Sequence, residues 1–261
     1  MSSPELQLIV NADDFGLSED TVAATIECFE AGALTSATIM PAMPATAQAL
    51  EFARSRPELG FGVHLTFTGD AGHGPLADGV TCLTGSDGGF PPAREVRVNA
   101  LLGRLVPEQL EREIEAQVSS VLESGVPVTH VDSHRHLHKF APFREALARA
   151  LPRLGIRRVR AVQDVYVERP LRSPTYWLGR RWRGRVRKRF ETTDHFFMAT
   201  KEEGPWDGPL LRLAAGLQGS LEVGVHPGRE EPWRDRDRAA TLAFAAGLDD
   251  RARLVDWRAV D

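Results

Sequence analysis

The 261-residue sequence has few cysteines, no long apolar run and no large excess of charge of either sign. Its two cysteines, Cys28 and Cys82, are too few for a disulfide framework and form no CxxC pair, which suits a reducing compartment. No apolar run approaches the ~20 residues that cross a bilayer, and the first residues lack the basic-then-apolar pattern of a signal peptide. We therefore expect a cytoplasmic protein without a membrane partner.

The charge balance gives a net charge of −4. This argues against a general nucleic-acid binder, so we expect no nucleic-acid partner. A basic arm at residues 172–190 is nevertheless rich in arginine and contains Trp182. It is typical either of an exposed helical arm or subunit contact, or of a patch that binds phosphate or nucleic acid. The overall negative charge favours the first interpretation, which makes the arm a candidate homodimer contact.

Short apolar runs alternate with longer helical patterns, and this alternation predicts an α/β fold with a mainly parallel sheet, open or closed into a barrel. The predicted strands are 6–10, 37–40, 61–65, 126–131, 158–162, 221–225 and 254–257. The predicted helices are 18–32, 44–55, 107–125, 142–154 and 235–247. No change in composition marks a linker, so we expect one domain over residues 1–261. A long loop at residues 69–92, rich in Gly, Asp and Pro, interrupts the alternation.

Half of the eight histidines lie in one short segment that reads His-Val-Asp-Ser-His-Arg-His-Leu-His. In an extended backbone, alternate side chains point to the same face. The residues predicted to share a face are Asp132, His134, His136 and His138, joined by His130 if the strand continues straight. A carboxylate and neutral imidazoles on one face favour a metal-ion site or an acid–base site. The alternative is a solvated polar loop.

Polar residues also stand at the ends of other predicted strands. Asp13 and Asp14 follow the first strand, and His64 and His226 end later ones. Each feature alone has a structural explanation, such as a turn cap or a buried histidine. The carboxyl ends of parallel strands lie on one rim, where catalytic groups gather, and the joint pattern therefore favours a site. One carboxylate and two imidazoles leave room at a hydrolytic metal for water and substrate.

Four strings in this sequence resemble the YdjC-like carbohydrate deacetylases, which include chitooligosaccharide deacetylase. They are VNADDFGLS at 10–18, GVHL at 62–65, HVDSHRHLH at 130–138 and GVHPG at 224–228. The resemblance implies a distorted TIM-like (β/α) barrel, with fewer than eight complete units. It also implies a divalent metal ion and hydrolysis of the N-acetyl group of an amino sugar or oligosaccharide, so an acetylated amino sugar is the expected partner.

The resemblance also implies roles for individual residues. The metal ligands would be Asp14, His64 and His134. The catalytic base would be Asp13 and the general acid His226, with the order of the two aspartates left open. Groups that orient the ligands or face the substrate would be Asp132, His136 and His138. The family implies Mg²⁺, whereas two imidazoles and one carboxylate suit Zn²⁺ at least as well.

Two alternatives to a sugar deacetylase stay open. The first is a barrel metallohydrolase that acts on a phosphoester or a non-sugar amide. The second is a metal- or nucleic-acid-binding module built from the histidine segment and the basic arm. The second alternative leaves Asp13, Asp14 and His226 without a role.

Overall fold

The protein is represented by a computed structural model, which describes residues 6–69, 73–199, 201 and 204–260, apart from the side chain of Thr175. The strands are β1 (Leu6–Phe15), β2 (Ser36–Ile39), β3 (Gly60–Leu65), β4 (Val128–Ser133), β5 (His195–Met198), β6 (Ser220–Val225) and β7 (Ala252–Leu254). The α-helices are α1 (Glu19–Glu30), α2 (Thr46–Ser55), α3 (Ala93–Leu101), α4 (Pro107–Glu123), α5 (Ala141–Ala150), α6 (Pro174–Arg187), α7 (Asp207–Ala214) and α8 (Pro232–Ala246). Short 3₁₀ helices lie at Thr81–Leu83, His134–Lys139, Leu151–Leu154 and Trp257–Ala259.

The strands form one parallel sheet in the order β4-β3-β2-β1-β6-β5, with β7 paired to the start of β1. The sheet curls into a half-barrel, and an irregular segment at residues 158–165 connects its two edges. On one side the amide of Arg160 donates to the carbonyl of Val131 in β4 (3.1 Å). On the other side the amide of Val165 donates to the carbonyl of Phe196 in β5 (3.1 Å). The predicted α/β fold, a distorted barrel short of eight units, is confirmed.

Local sequence explains why the main helices form where they do. Ser18 caps α1, where its hydroxyl accepts a hydrogen bond from the amide of Thr21 (3.2 Å). Pro107 occupies the first turn of α4, where its missing N–H costs no hydrogen bond. The apolar stripe of α4, including Leu110 and Ile114, is buried against the rest of the core. Every residue of β3 and β6 is buried, as expected for central strands covered by helices.

The structure corrects several predicted elements. Residues 158–162 make only isolated bridges, to Val131 and Glu191, and form no regular strand. The predicted strand at 254–257 is displaced, because β7 ends at Leu254 and a 3₁₀ helix begins at Trp257. Three short elements escaped prediction, namely α3, β5 and α7, and β5 has only four residues in which to show a pattern.

The two irregular stretches have different outcomes. In the basic arm, Pro174–Arg187 forms α6, and most of its arginines are exposed. In the long loop, residues 70–72 lie outside the described residues, and the described part contains one 3₁₀ turn at Thr81–Leu83. Within the described ranges no helix is both long and apolar enough to span a bilayer.

Candidate active site

The end of β1 brings two consecutive carboxylates, Asp13 and Asp14, to one cavity. Successive side chains of a regular strand point to opposite faces. Here the pairing of β1 with β2 shifts between Ala12 and Phe15, so β1 contains one extra residue, and Asp14 adopts a left-handed φ of 60°. This bulge explains how adjacent residues both face the cavity. Backbone strain of this kind often accompanies functional sites.

The predicted ligands Asp14, His64 and His134 lie together. The Nε2 atom of His64 is 3.3 Å from Oδ1 of Asp14, and the Nδ1 atom of His134 is 3.1 Å from the same oxygen. One potential ligand atom from each residue lies within 4.8 Å of the other two. Asp14 and His64 come from β1 and β3, which β2 separates in the sheet, and His134 directly follows β4. They meet at the rim formed by the carboxyl ends of parallel strands.

The other ring nitrogen of His64 is held by Asp132, whose Oδ1 lies 2.7 Å from Nδ1. The hydroxyl of Thr38 donates to the second oxygen of Asp132 (3.3 Å). A carboxylate on Nδ1 leaves Nε2 facing the cavity, which is the arrangement found behind metal-binding histidines. Burial would lower the pKa of His64, but the carboxylates of Asp132 and Asp13 raise that pKa to about 10. The site therefore strongly favours positive charge.

Asp13 is held by a buried arginine that sequence reasoning missed. Arg160 places Nη1 2.5 Å from Oδ2 of Asp13 and Nη2 2.7 Å from Oδ1. The same guanidinium contacts Asp132 (2.5 Å) and Glu222 (2.7 Å). Burial would raise the pKa of Asp13, but Arg160 and His64 hold it well below its usual range. Asp13 is therefore ionised and fixed in orientation.

The third carboxylate of this cluster, Glu222, behaves differently. It lies on β6 and is fully buried, and burial raises its pKa to about 7 even though Arg160 opposes the shift. The nearby charges of Asp13 and Asp132 act in the same direction as burial. Of Asp13 and Glu222, which both contact Arg160, Glu222 therefore accepts a proton the more readily.

His226 stands opposite the two imidazoles, and its Nε2 lies 4.0 Å from Oδ2 of Asp13. It is positioned by Asp237 of α8, which accepts a hydrogen bond from the backbone amide of His226 (2.7 Å). Asp237 also lies 3.5 Å from Nδ1 of the imidazole. Trp206 fixes Asp237 in turn, because its indole N–H donates to Oδ1 (2.7 Å). Asp237 therefore fixes the backbone of His226 and places its carboxylate beside the imidazole.

A second arginine missed by sequence reasoning, Arg234, donates to Oδ2 of Asp14 (2.6 Å). Arg234 is nearly buried, and its guanidinium lies over the ring of Trp233. Because Arg234 occupies Oδ2, the other oxygen of Asp14 faces His64 and His134. Burial would raise the pKa of Asp14, but the two imidazoles lower it to well below its ordinary value.

The histidine segment is not the single extended strand that its alternation predicts, and this prediction was wrong. β4 ends at Ser133, and the next residues form a 3₁₀ turn in which Arg135 and His136 have φ of 59° and 54°. The turn sends His138 away from the cavity, because its backbone amide donates to the Ser133 hydroxyl (3.0 Å). Of the predicted orienting or substrate-facing groups, His136 lines the cavity and Asp132 contacts His64.

His130 also lies outside the cavity. It is fully buried, and its ring stacks on Trp257 with 4.4 Å between the ring centroids. The close approach of β3 to β4 at this level depends on Gly62. A Cβ atom there would lie only 2.7 Å from the carbonyl oxygen of His130.

The cavity itself has a volume of about 360 Å³ and opens at the carboxyl ends of the strands. Besides the acidic and imidazole groups, it is lined by cationic side chains: Arg97, Arg135, Lys201 and Arg234. Its floor is therefore anionic around Asp13 and Asp14, whereas its walls are cationic.

The donor set fits a divalent cation. Asp14, His64 and His134 are buried or half-buried, and together they offer one oxygen and two nitrogen ligands. Zinc and other divalent transition metals accept this combination, and a three-ligand site leaves positions for water and substrate. A second group of potential ligands, Asp13, His64 and Asp132, overlaps the first through His64, but Arg160 already holds both of its carboxylates. We therefore regard the first group as the candidate metal site.

Comparison with known proteins identifies relatives of this chain and supports the fold described above. A carbohydrate deacetylase of Geobacillus stearothermophilus is 42% identical over 170 residues, which cover 64% of this chain and 63% of that protein. A carbohydrate deacetylase of Thermoanaerobacter pseudethanolicus is 30% identical over 227 residues, which cover 84% of this chain and 80% of that protein. The chain thus spans under two thirds of the length of the Geobacillus relative.

A crystal structure from Enterococcus faecalis, described provisionally as a cellobiose-phosphate cleavage protein, superposes with a TM-score of 0.76. It covers 97% of this chain and 98% of its own, and at 22% identity the likeness shows a shared fold. The family model described as YdjC-like protein matches residues 7–260. Because that match covers nearly the whole chain, this protein belongs to the YdjC-like family.

Proposed function

We propose that this protein is a metal-dependent hydrolase that removes the acetyl group from an N-acetylated amino sugar or oligosaccharide and releases acetate. The observation that carries the proposal is the convergence of Asp14, His64 and His134 in one cavity with Asp13 and His226. Relatives named carbohydrate deacetylase support the reaction class and the sugar substrate.

Asp14, His64 and His134 would hold one divalent ion. When bound, such an ion lowers the pKa of water and polarises the acetyl carbonyl. The family resemblance favours Mg²⁺, whereas the two imidazoles favour Zn²⁺. Elemental analysis of protein purified without added metal distinguishes these ions.

The chain's own groups would move the protons. Asp13 accepts a proton from the attacking water, whose oxygen bonds to the acetyl carbon. His226, across the cavity, donates a proton to the amide nitrogen as the C–N bond breaks, so that acetate and a sugar amine are released. Arg160 keeps Asp13 aimed at the cavity, and Asp237 keeps His226 aimed at it.

Removal of the proposed ligands tests the metal site. His64→Ala and His134→Ala should each lose bound metal and lose acetate release from N-acetylated sugars. His73→Ala is the matched control, because His73 lies outside the cavity and should leave both quantities unchanged. If either ligand variant keeps full metal occupancy and full activity, the assignment is wrong.

The two aspartates can be distinguished by single isosteric changes. Asp13→Asn should retain metal but lose about 10²–10⁴-fold in kcat, the usual contribution of general acid–base catalysis. Asp14→Asn should lose metal as well as turnover. The reverse pattern would exchange the roles of base and ligand.

A second candidate function is hydrolysis of a phosphoester or a non-sugar amide. The cationic walls of the cavity, which include Arg97, Arg135 and Lys201, favour an anionic substrate. Parallel assays of acetate release from N-acetylated sugars and phosphate release from phosphoesters separate the two functions.

Two wider expectations accompany the proposed function. We place the reaction in the cytoplasm, in agreement with the free thiols of Cys28 and Cys82. The basic arm is a candidate homodimer contact, and light scattering coupled to size-exclusion chromatography tests it.

A further inference from the structure

A cavity of about 450 Å³ lies between the C-terminal ends of α5 and α6. Among the described residues, none lines both this cavity and the candidate active site. Its wall includes Arg157 and Glu191, and the amide of Glu191 donates to the carbonyl of Arg157 (3.2 Å). Glu191 precedes β5, and Arg157 precedes the segment that pairs with β4. In a parallel sheet both positions lie at the amino ends of the strands, so the cavity is on the side opposite the rim that holds Asp13 and Asp14.

The wall of this cavity, which we call the basic cavity, is rich in positive charge. Four cationic side chains line it: Arg157, Arg187, Lys188 and Arg189. In the described part of the chain they face a single carboxylate, that of Glu191. Because the whole protein has a net charge of −4, this excess of positive charge is local. A concave surface with charge of one sign attracts ligands of the opposite sign.

Two of the charged groups in the wall are already paired with neighbours. Glu191 lies 3.6 Å from Nε of Arg158, which is outside the cavity. Arg187 pairs with Asp194 at 3.0 Å. Over the ranges that the structure describes, three cations of the wall have no carboxylate oxygen within 4 Å: Arg157, Lys188 and Arg189. These three side chains come from two separate segments and leave their charges available to a ligand.

A nearby arginine shows the strength of the positive charge at this place. Arg144 of α5 is nearly buried, and its guanidinium donates to the carbonyl of Lys139 (3.0 Å). Burial lowers the pKa of Arg144, and the charges of Arg185 and Arg189 lower it further, although Glu145 opposes the shift. A bound anion would relieve this repulsion between like charges.

The rest of the basic cavity is apolar. Leu151, Pro152 and Ile156 contribute to one wall, and the half-buried ring of Phe190 contributes to another. Pockets for small organic ligands usually measure about 300–1,000 Å³, and the volume of about 450 Å³ lies in that range. The cavity therefore has room for an organic group beside an anionic one.

We propose that the basic cavity binds a small organic molecule that carries a phosphate or diphosphate group. Arginine recognises phosphate through paired hydrogen bonds, and lysine supplies a compact charge, so Arg157, Lys188 and Arg189 together suit such a group. The apolar wall receives the organic part, which a nucleotide or a sugar phosphate could supply. The inference does not depend on the proposed deacetylase function, because the two cavities lie on opposite sides of the fold.

Isothermal titration calorimetry with ADP and with glucose 6-phosphate tests the proposal on the full chain, without free divalent metal. At least one of the two should bind, and the one that binds more tightly identifies the organic part. Its Kd should rise with salt concentration, because salt screens the charges of the wall. Adenosine and glucose, which lack phosphate, should show no measurable binding.

Single substitutions locate the binding site. Arg157→Gln and Arg189→Gln should each raise the Kd about tenfold, as expected for the loss of one charge-assisted hydrogen bond. Both side chains are exposed, so both variants should unfold in urea like the unmodified protein. The matched control is Arg153→Gln, because Arg153 lies outside the cavity and is paired with Glu111 and Glu115.

A further control separates the two cavities. Lys201 lines the candidate active site, and Lys201→Gln should bind the phosphate ligand as the unmodified protein does. The proposal would be overturned by absence of binding of both phosphates, or by an unchanged Kd in Arg157→Gln and Arg189→Gln. Loss of binding in Lys201→Gln would also overturn it, because the anion would then occupy the candidate active site.

Discussion

Replacement of Arg160 by methionine should destabilise the fold strongly, because Arg160 is the buried cation that three carboxylates share. Its guanidinium lies 2.5–2.8 Å from oxygens of Asp13, Asp132 and Glu222, and its side chain is 0% exposed. Removal of one partner from a buried ion pair leaves an uncompensated charge and costs about 3–5 kcal/mol. Arg160→Met should therefore lose that much free energy of unfolding, a large part of the ~5–15 kcal/mol typical of a domain.

The loss should depend on pH in a defined direction. In the unmodified protein the pKa of Asp13 lies below its unfolded value of about 3.9. The ionised carboxylate therefore contributes to the free energy of unfolding above about pH 3.9, and this contribution is lost as the pH falls through the pKa of Asp13 in the folded protein. In Arg160→Met, burial raises the pKa of Asp13 above its unfolded value. Between those two pKa values, Asp13 is protonated in the folded variant and ionised in the unfolded chain. The variant's stability then falls as pH rises, so the difference from the unmodified protein is greatest near neutrality.

Urea unfolding followed by tryptophan fluorescence, at about pH 5 and about pH 8, measures both effects. Arg153→Met is the control, because the ion pairs of Arg153 with Glu111 and Glu115 involve a side chain that is 58% exposed. That variant should unfold like the unmodified protein. A loss below about 1 kcal/mol in Arg160→Met, or an equal loss at both pH values, would refute the reasoning.

Three further predictions follow from single contacts. Glu222→Gln should flatten the fall in stability between about pH 4.5 and pH 7, because the folded state holds a proton on Glu222 up to about pH 7; an unchanged slope in urea unfolding contradicts this. Asp237→Asn should lower kcat for acetate release by about tenfold or more with little change in KM, because Asp237 accepts the Trp206 indole and the His226 amide on different oxygens and an amide side chain can accept only one of them, which loosens His226; unchanged kcat contradicts this. Gly62→Ala should cost about 1–3 kcal/mol in urea unfolding, because the new methyl group meets the backbone of His130, whereas Gly184→Ala should cost nothing.

Sequence reasoning located the site through strand ends. The apolar runs before Asp13, before His134 and around His64 are regular enough to show where each strand stops. Parallel topology then requires those ends to share a rim, whatever their separation along the chain. The rim is therefore predictable from local patterns alone.

The histidine segment shows where local patterns mislead. Alternation of polar residues predicted continued strand, but Arg135 and His136 adopt positive φ without a glycine or asparagine to signal it. The hydrogen bond from the His138 amide to the Ser133 hydroxyl closes that turn. A pattern with period two describes a strand only while the backbone stays extended.

The two arginines of the site were hidden for different reasons. Arg160 stands in an apolar run, which was a signal of burial, but its partners Asp13 and Glu222 come from distant strands. Only the three-dimensional structure shows which residues are the partners of Arg160. Arg234 lies in the first turn of α8 among charged residues and reads as one more exposed charge. Only the packing of α8 against the rim shows that it binds Asp14.

The irregular segment at residues 158–165 has two roles, because it joins the two edges of the half-barrel and also supplies Arg160. A partly folded molecule in which this segment is detached would carry three acidic groups with no guanidinium among them. In such a molecule the strands could be formed while Asp13, the proposed base, has no guanidinium to orient it. Catalytic competence should thus return late in refolding, together with the joining of the two edges, and recovery of activity after dilution from denaturant would time that step directly.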